Sequence, residues 1–129
     1  MIPLILVDDD PDMLNLMQIT FSDSGHYEVI ACQDARDALE VLKQRSVSVI
    51  ISDFKMPVMT GGQFVKIARD MGYSGLFILY SGRGKDPLIK KAFHDGADFY
   101  IPRSGDFNKE FTTLKKIIHD HQPPLKQAD

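Results

Sequence analysis

"LILVDDDPDML", residues 4–14, places three consecutive carboxylates directly after a short apolar run. A run of this kind is typical of a β-strand that is buried on both faces. Pro11 is a signal for the first turn of a helix, and Asp10 before it has the residue type preferred at an N-cap. The stretch therefore predicts a buried strand, an acidic loop and a helix in close succession.

The same order of elements recurs along the chain. Apolar runs alternate with segments whose apolar residues recur every three or four positions, which predicts five amphipathic helices. The fourth helix is expected to close at Asp95-Gly96 and the fifth before Pro123-Pro124. The predicted strands are residues 3–8, 27–31, 47–52, 76–80 and 99–101. Strict alternation of strand and helix predicts an α/β fold with a doubly wound parallel sheet and right-handed crossovers.

Composition narrows the class of protein. The 129 residues suit a single domain, and no stretch approaches the ~20 apolar residues that span a bilayer. The net charge is −3 with scattered Lys and Arg, so we expect neither membrane insertion nor direct nucleic-acid binding. Cys32 is the only cysteine, and no basic residue precedes Asp8, so a cytoplasmic protein without a disulfide or secretory signal is expected.

Polar side chains follow four of the predicted strands. Ligands of a doubly wound sheet bind outside the carboxyl ends of its strands, where Asp8, Asp9, Asp53, Ser81 and Arg103 lie. Carboxylates brought together raise one another's proton affinity unless a cation relieves the repulsion. Mg²⁺ suits such a site because it takes one or two carboxylates and keeps its other positions for water and phosphate.

These residues carry a resemblance to a known family. The chain resembles a CheY-like response-regulator receiver domain of two-component signalling, through the acid pair Asp8-Asp9, "DFKMPVMTG" (residues 53–61), Ser81 and "GADFYIPR" (residues 96–103). The resemblance implies a flavodoxin-like three-layer sandwich with sheet order 2-1-3-4-5. It covers residues 1–121 and leaves 122–129 as a flexible C-terminal tail.

The resemblance also implies a phosphorelay reaction. Asp53 would accept a phosphoryl group from a histidine kinase or a phosphotransfer protein. Asp9 and Asp53 would ligate Mg²⁺ directly, Asp8 through water, and Lys55 through its backbone carbonyl. Such a domain is a signalling module rather than an enzyme, with at most self-catalysed phosphorylation and dephosphorylation.

Three further residues acquire roles from the same resemblance. Arg103 would neutralise the transferred group, and Ser81 would bond one of its oxygens. Tyr100 stands at the aromatic switch position, although an ordinary half-buried strand tyrosine fits equally well. The face made by the fourth helix, fifth strand and fifth helix would then bind a downstream output protein or domain, or a second copy of the chain in a phosphorylation-dependent homodimer.

One departure keeps alternatives open. Family members usually carry Lys-Pro where this chain has Arg103-Ser104, so a receiver-like interaction scaffold that is not phosphorylated remains an alternative. A receiver cut from a larger hybrid sensor kinase is another. A haloacid-dehalogenase-type phosphatase would use Asp8 with Asp10, but Asp9 and the context of Asp53 favour the receiver. "SGRGK" (residues 81–85) fits neither a Walker loop nor a dinucleotide fingerprint.

Overall fold

The fold is described by a computed structural model for residues 1–82 and 86–121. Its strands are β1 (Ile2–Val7), β2 (Tyr27–Cys32), β3 (Val49–Ser52), β4 (Leu76–Ser81) and β5 (Phe99–Pro102). Its helices are α1 (Pro11–Ser22), α2 (Ala35–Gln44), α3 (Gly61–Asp70), α4 (Pro87–Asp95) and α5 (Phe107–His121). Arg83 and Lys85, expected to be solvated charges, and the predicted tail 122–129 lie outside the described residues.

The predicted α/β fold is confirmed. The five strands form one parallel sheet in the order β2-β1-β3-β4-β5, and the helices alternate with them. The bounds differ from the prediction by one or two residues, the largest difference being that β3 begins at Val49 rather than at 47. None of the helices in the described part of the chain is both long and apolar enough to span a bilayer.

The hydrophobic core forms one layer on each face of the sheet. One layer contains Ile5, Val7 and Ile50 with buried residues of α2, α3 and α4. The other contains Leu4 and Leu6 with buried residues of α1 and α5. Neighbouring strand residues thus point to opposite faces and are buried on both, which explains why the strands read as nearly continuous apolar runs.

The sheet register brings the strand ends to one edge. Val7 of β1 pairs with Ser52 of β3, and Ser81 of β4 pairs with Pro102 of β5. Every loop that leaves a strand toward its helix therefore starts from the same rim. Asp10 accepts a hydrogen bond from the Asp12 backbone N–H at 2.9 Å, which confirms its predicted role as the N-cap of α1.

Candidate functional site

Three carboxylates meet at this rim. Asp8 and Asp9 follow β1 and Asp53 follows β3, and each offers a ligand oxygen that lies within 4.8 Å of the other two. They are the only group of three or more potential metal-ligating side chains found among residues 1–82 and 86–121. A set of carboxylate oxygens at this spacing fits a hard divalent cation such as Mg²⁺.

Asp8 is the most deeply placed of the three. Its side chain is fully buried, and the residue directly follows the buried end of β1. Burial raises the pKa of Asp8; Arg103 and the Asp10 backbone N–H oppose this shift, and the Asp53 charge reinforces it. Burial thus disfavours a negative charge on Asp8, and a cation such as the Arg103 guanidinium compensates for part of this cost.

Asp53 is more open to solvent. Its side chain is 14% exposed. Its Oδ1 accepts a hydrogen bond from the Phe54 backbone N–H at 2.7 Å. Its Oδ2 lies 3.9 Å from Nη1 of Arg103. One oxygen is therefore fixed by the backbone, and the other lies beside a positive charge at the mouth of the site.

Arg103 connects the acidic residues. Its Nη2 donates to Oδ2 of Asp8 at 2.5 Å, across 95 residues of sequence. Its side chain is 17% exposed, and the guanidinium carbon lies 4.5 Å from the centre of the Tyr80 ring. Its Nε is buried and has no hydrogen-bond acceptor within the described ranges. The guanidinium therefore supplies the positive charge that the strand-five position was expected to contribute.

Ser81 and Tyr100 are joined to each other. Ser81 ends β4 and is almost fully buried. Its carbonyl accepts hydrogen bonds from the Tyr100 hydroxyl at 2.5 Å and from the Arg103 backbone N–H at 3.1 Å. Tyr100 is half-buried, and its ring packs against the core layer of α2, α3 and α4. The two predicted switch residues thus share one contact at the end of the sheet.

Other candidate residues stay outside the cluster. Asp10, which a dehalogenase-type phosphatase would use with Asp8, is exposed and caps α1 instead. Lys55 lies in the loop two residues after Asp53 with an exposed side chain, and its carbonyl as a metal ligand stays a prediction. His119 and His121 lie two residues apart in the last turn of α5, and neither belongs to the acidic group.

The structure adds two residues that the sequence did not single out. The Tyr80 hydroxyl donates to Oε1 of Glu110 at 2.6 Å. Oε2 of Glu110 accepts from the backbone N–H and the hydroxyl of Ser104, at 2.7 and 2.5 Å. Glu110 lies on the apolar stripe of α5 between Phe107 and Leu114, which is the signal that could have revealed it.

Comparison with known proteins agrees with this geometry. Residues 4–115 match the family model described as "Response regulator receiver domain", so the chain belongs to that family. Receiver domains are signalling modules of two-component response regulators, and the fold and the acidic rim described above are consistent with that class.

Three known proteins are similar to the chain over more than nine-tenths of its length. The chain is 29% identical to Response regulator Rre1 of Synechocystis over 123 residues, covering 94% of this chain and 53% of that protein. It is 25% identical to the transcriptional regulatory protein GlrR of Escherichia coli, covering 93% of this chain and 27% of that protein. The chemotaxis response regulator CheY4 of Vibrio cholerae superimposes with a TM-score of 0.78 at 29% identity, covering 91% and 98% of the two chains. The chain thus spans about half or less of these two curated relatives.

Proposed function

We propose that this receiver domain accepts a phosphoryl group on Asp53 in a Mg²⁺-dependent reaction, from a histidine kinase or a phosphotransfer protein. The observation that carries the proposal is the convergence of Asp8, Asp9 and Asp53 within 4.8 Å. The guanidinium of Arg103 lies against two of these carboxylates. Phosphoryl transfer needs positioning and charge neutralisation more than covalent work by the protein, and this arrangement supplies both.

The proposed step balances as a simple substitution at phosphorus. A carboxylate oxygen of Asp53 attacks the phosphorus of a phosphohistidine and forms a new P–O bond. The P–N bond breaks, and the imidazole leaves with that electron pair and takes a proton from water. Asp9, Asp53 and the Lys55 carbonyl would hold Mg²⁺ directly and Asp8 would hold it through water, and the bound ion would supply positive charge beside the transferred group. Arg103 adds a second positive charge, and the Ser81 hydroxyl donates a hydrogen bond to a phosphoryl oxygen.

The contact between Ser81 and Tyr100 supports a route from the site to the surface. If the Ser81 side chain binds the phosphoryl group, its carbonyl moves with it, and that carbonyl already holds the Tyr100 hydroxyl. The face of α4, β5 and α5 then changes shape. Leu88 and Phe93 of α4 are exposed apolar residues, 50% and 41% accessible, that an output partner or a second copy could bury.

Wild-type protein incubated with Mg²⁺ and phosphoramidate should gain the mass of one phosphoryl group. Asp53→Ala should show only background labelling, because it removes the attacking oxygen. The matched control is Asp70→Ala, which removes an exposed carboxylate at the end of α3 and should label like wild type. Intact-protein mass spectrometry measures all three. An unlabelled wild type, or full labelling of Asp53→Ala, would reject the proposal.

Magnesium should stabilise the folded protein. At a concentration one hundred times its dissociation constant, a ligand that binds only the folded state raises the free energy of unfolding by about 2.7 kcal/mol. Asp9→Asn should lose most of this response because it removes the negative charge of an exposed ligand without disturbing the core. Asp12→Asn, an exposed carboxylate in the first turn of α1, should keep it. Urea denaturation with and without Mg²⁺ tests this, and equal responses of the two variants would count against the site.

A second candidate function is an interaction scaffold that is not phosphorylated. The observation that favours it is the Arg103–Asp8 ion pair, which already provides positive charge at the acidic rim. Such a scaffold predicts no label on the wild type and partner binding that is indifferent to Asp53→Ala. The labelling experiment therefore separates the two candidates directly.

A further inference from the structure

Arg103 is held from two sides. On the outer side it meets Asp8 and Asp53, as described above. On the inner side its guanidinium lies over the face of the Tyr80 ring, at a distance typical of a cation–π contact. An arginine side chain is long, so the position of its guanidinium depends on this inner surface as well as on the acidic residues.

The Tyr80 ring is itself fixed by a buried carboxylate. Its hydroxyl donates to Glu110 at 2.6 Å, and burial followed by that bond raises the pKa of Tyr80, so the hydroxyl remains a donor. An anion that accepts from a phenol hydroxyl makes the ring a better partner for a cation, since hydrogen bonds in a chain polarise one another. Glu110 thus acts on Arg103 through Tyr80, and its charge also attracts the guanidinium directly.

Ser104 completes the support. Glu110 is only 6% exposed, and three hydrogen bonds satisfy it, one from Tyr80 and two from Ser104. Burial alone would raise the pKa of Glu110, but the bonds from Ser104 and Tyr80 outweigh it and lower the pKa, so the group stays charged. A proline at position 104 would supply neither the N–H nor the hydroxyl. The serine is therefore the residue that allows a buried carboxylate at this place.

We propose that Glu110 and Ser104 are positioning residues of the acidic site: together with Tyr80 they hold the Arg103 guanidinium against Asp8 and Asp53. This inference rests on the proposed function in assigning Arg103 to phosphoryl transfer. Similar domains usually carry Lys-Pro where this chain has Arg103-Ser104. In this chain the pair contacts two further residues: Arg103 packs on Tyr80, and Ser104 donates to Glu110.

The positioning of Arg103 by Glu110 and Ser104 can be tested without any phosphoryl transfer. In ¹⁵N–¹H spectra of the full chain, the Arg103 Nε–H signal should show slow exchange and a ring-current shift from Tyr80. Glu110→Gln should move this signal toward that of an exposed arginine, because glutamine has one acceptor oxygen and cannot accept both from Tyr80 and from Ser104 at the two oxygen positions of the carboxylate. Glu40→Gln, which alters an exposed ion pair with Lys43 on α2, should leave it in place. An unchanged signal in Glu110→Gln overturns the proposal.

The effect of Glu110 on phosphoryl transfer can be tested by a double-mutant cycle that measures the rate of labelling with Mg²⁺ and phosphoramidate. Glu110→Gln should lower the rate of labelling by about fivefold, the size typical of groups in one hydrogen-bond network. The same change should have almost no effect in an Arg103→Met background, because no positive charge is then left for the Tyr80 face to hold. Equal effects in both backgrounds would mark Glu110 as merely structural and overturn the proposal.

A second and milder variant keeps the proposal testable if Glu110→Gln does not fold. Ser104→Ala removes one donor to Glu110 and keeps the backbone N–H, so it should shift the Arg103 signal in the same direction by a smaller amount. No shift in this variant counts against the proposal. A wild type that takes no label rejects the proposed function instead, and the Arg103 signal then decides the positioning role alone.

Discussion

Arg103→Met is expected to lower the free energy of unfolding by about 3 kcal/mol in metal-free buffer at pH 7, because removal of one partner from a buried ion pair leaves the other charge uncompensated. That other charge is Asp8, whose side chain is fully buried. Methionine keeps much of the apolar volume that packs on Tyr80, so the loss reports the missing charge rather than a cavity. Urea denaturation at several pH values measures it.

The pH dependence has a definite sign. The pKa of Asp8 is already raised by burial, and loss of Arg103 raises it further. The deficit of the variant should therefore be largest at neutral pH and shrink as the pH falls through the pKa of Asp8, since a protonated carboxyl needs no counter-charge. Mg²⁺ should recover part of the loss at pH 7.

Arg45→Met is the matched control for this variant. Arg45 pairs with Glu28, but both side chains are well exposed, at 38% and 43%. Exposed pairs contribute less than about 1 kcal/mol, so this control should remain close to wild type at every pH. Equal losses in the two variants, or a deficit in Arg103→Met that does not change with pH, would contradict the account of Asp8 as a buried and paired anion.

Gly61→Ala is expected to destabilise the protein by about 2 kcal/mol through overpacking of the loop that carries Asp53. A Cβ at residue 61 would lie 2.7 Å from the Asp53 carbonyl oxygen and 2.7 Å from a Leu79 methyl group. The Gly61 backbone N–H also donates to the Phe54 carbonyl at 2.6 Å, so the segment cannot move away freely. Asp53 should shift, and its labelling by phosphoramidate should slow.

The neighbouring glycine gives a sharp control. A Cβ at Gly62 would meet Ala92 at 3.4 Å and Phe54 at 3.6 Å, which are ordinary packing distances. Because alanine is a better helix former than glycine, Gly62→Ala should be neutral or stabilising by up to about 1 kcal/mol. Similar losses of stability in both variants would show that general crowding of α3 disfavours a side chain at residue 61. The close approach of a Cβ to the Asp53 carbonyl would then not be the cause.

Much of the architecture was predictable because local signals agreed with the fold. Apolar runs and helical periods placed all ten elements, and the rule that parallel strand ends share an edge brought Asp8, Asp9 and Asp53 together. Asp10 as the cap of α1 and Gly96 after α4 were likewise read from residue type and position. Strand ends were less certain by a residue or two because pairing in the sheet, not composition, sets them.

The support behind Arg103 was not predictable in the same way. Tyr80 belongs to an apolar strand and Glu110 to a helix, and 30 residues separate them. Their hydrogen bond forms because the Tyr80 side chain points to the face of the sheet that α5 covers. Ser104 was noticed as a departure from a familiar pair, but its contact with Glu110 depends on how the chain turns after β5. Long-range polar contacts of this kind follow from tertiary packing and leave only weak local traces.

The hydrogen bonds of Glu110 also constrain how the chain can evolve. A single Ser104→Pro substitution would leave a carboxylate in the protein interior with one of its three donors, which selection against misfolding would oppose. A Ser104→Pro substitution should therefore be tolerated better where residue 110 is uncharged than beside Glu110. One buried side chain on the last helix thus restricts which residues the chain can accept directly after Arg103.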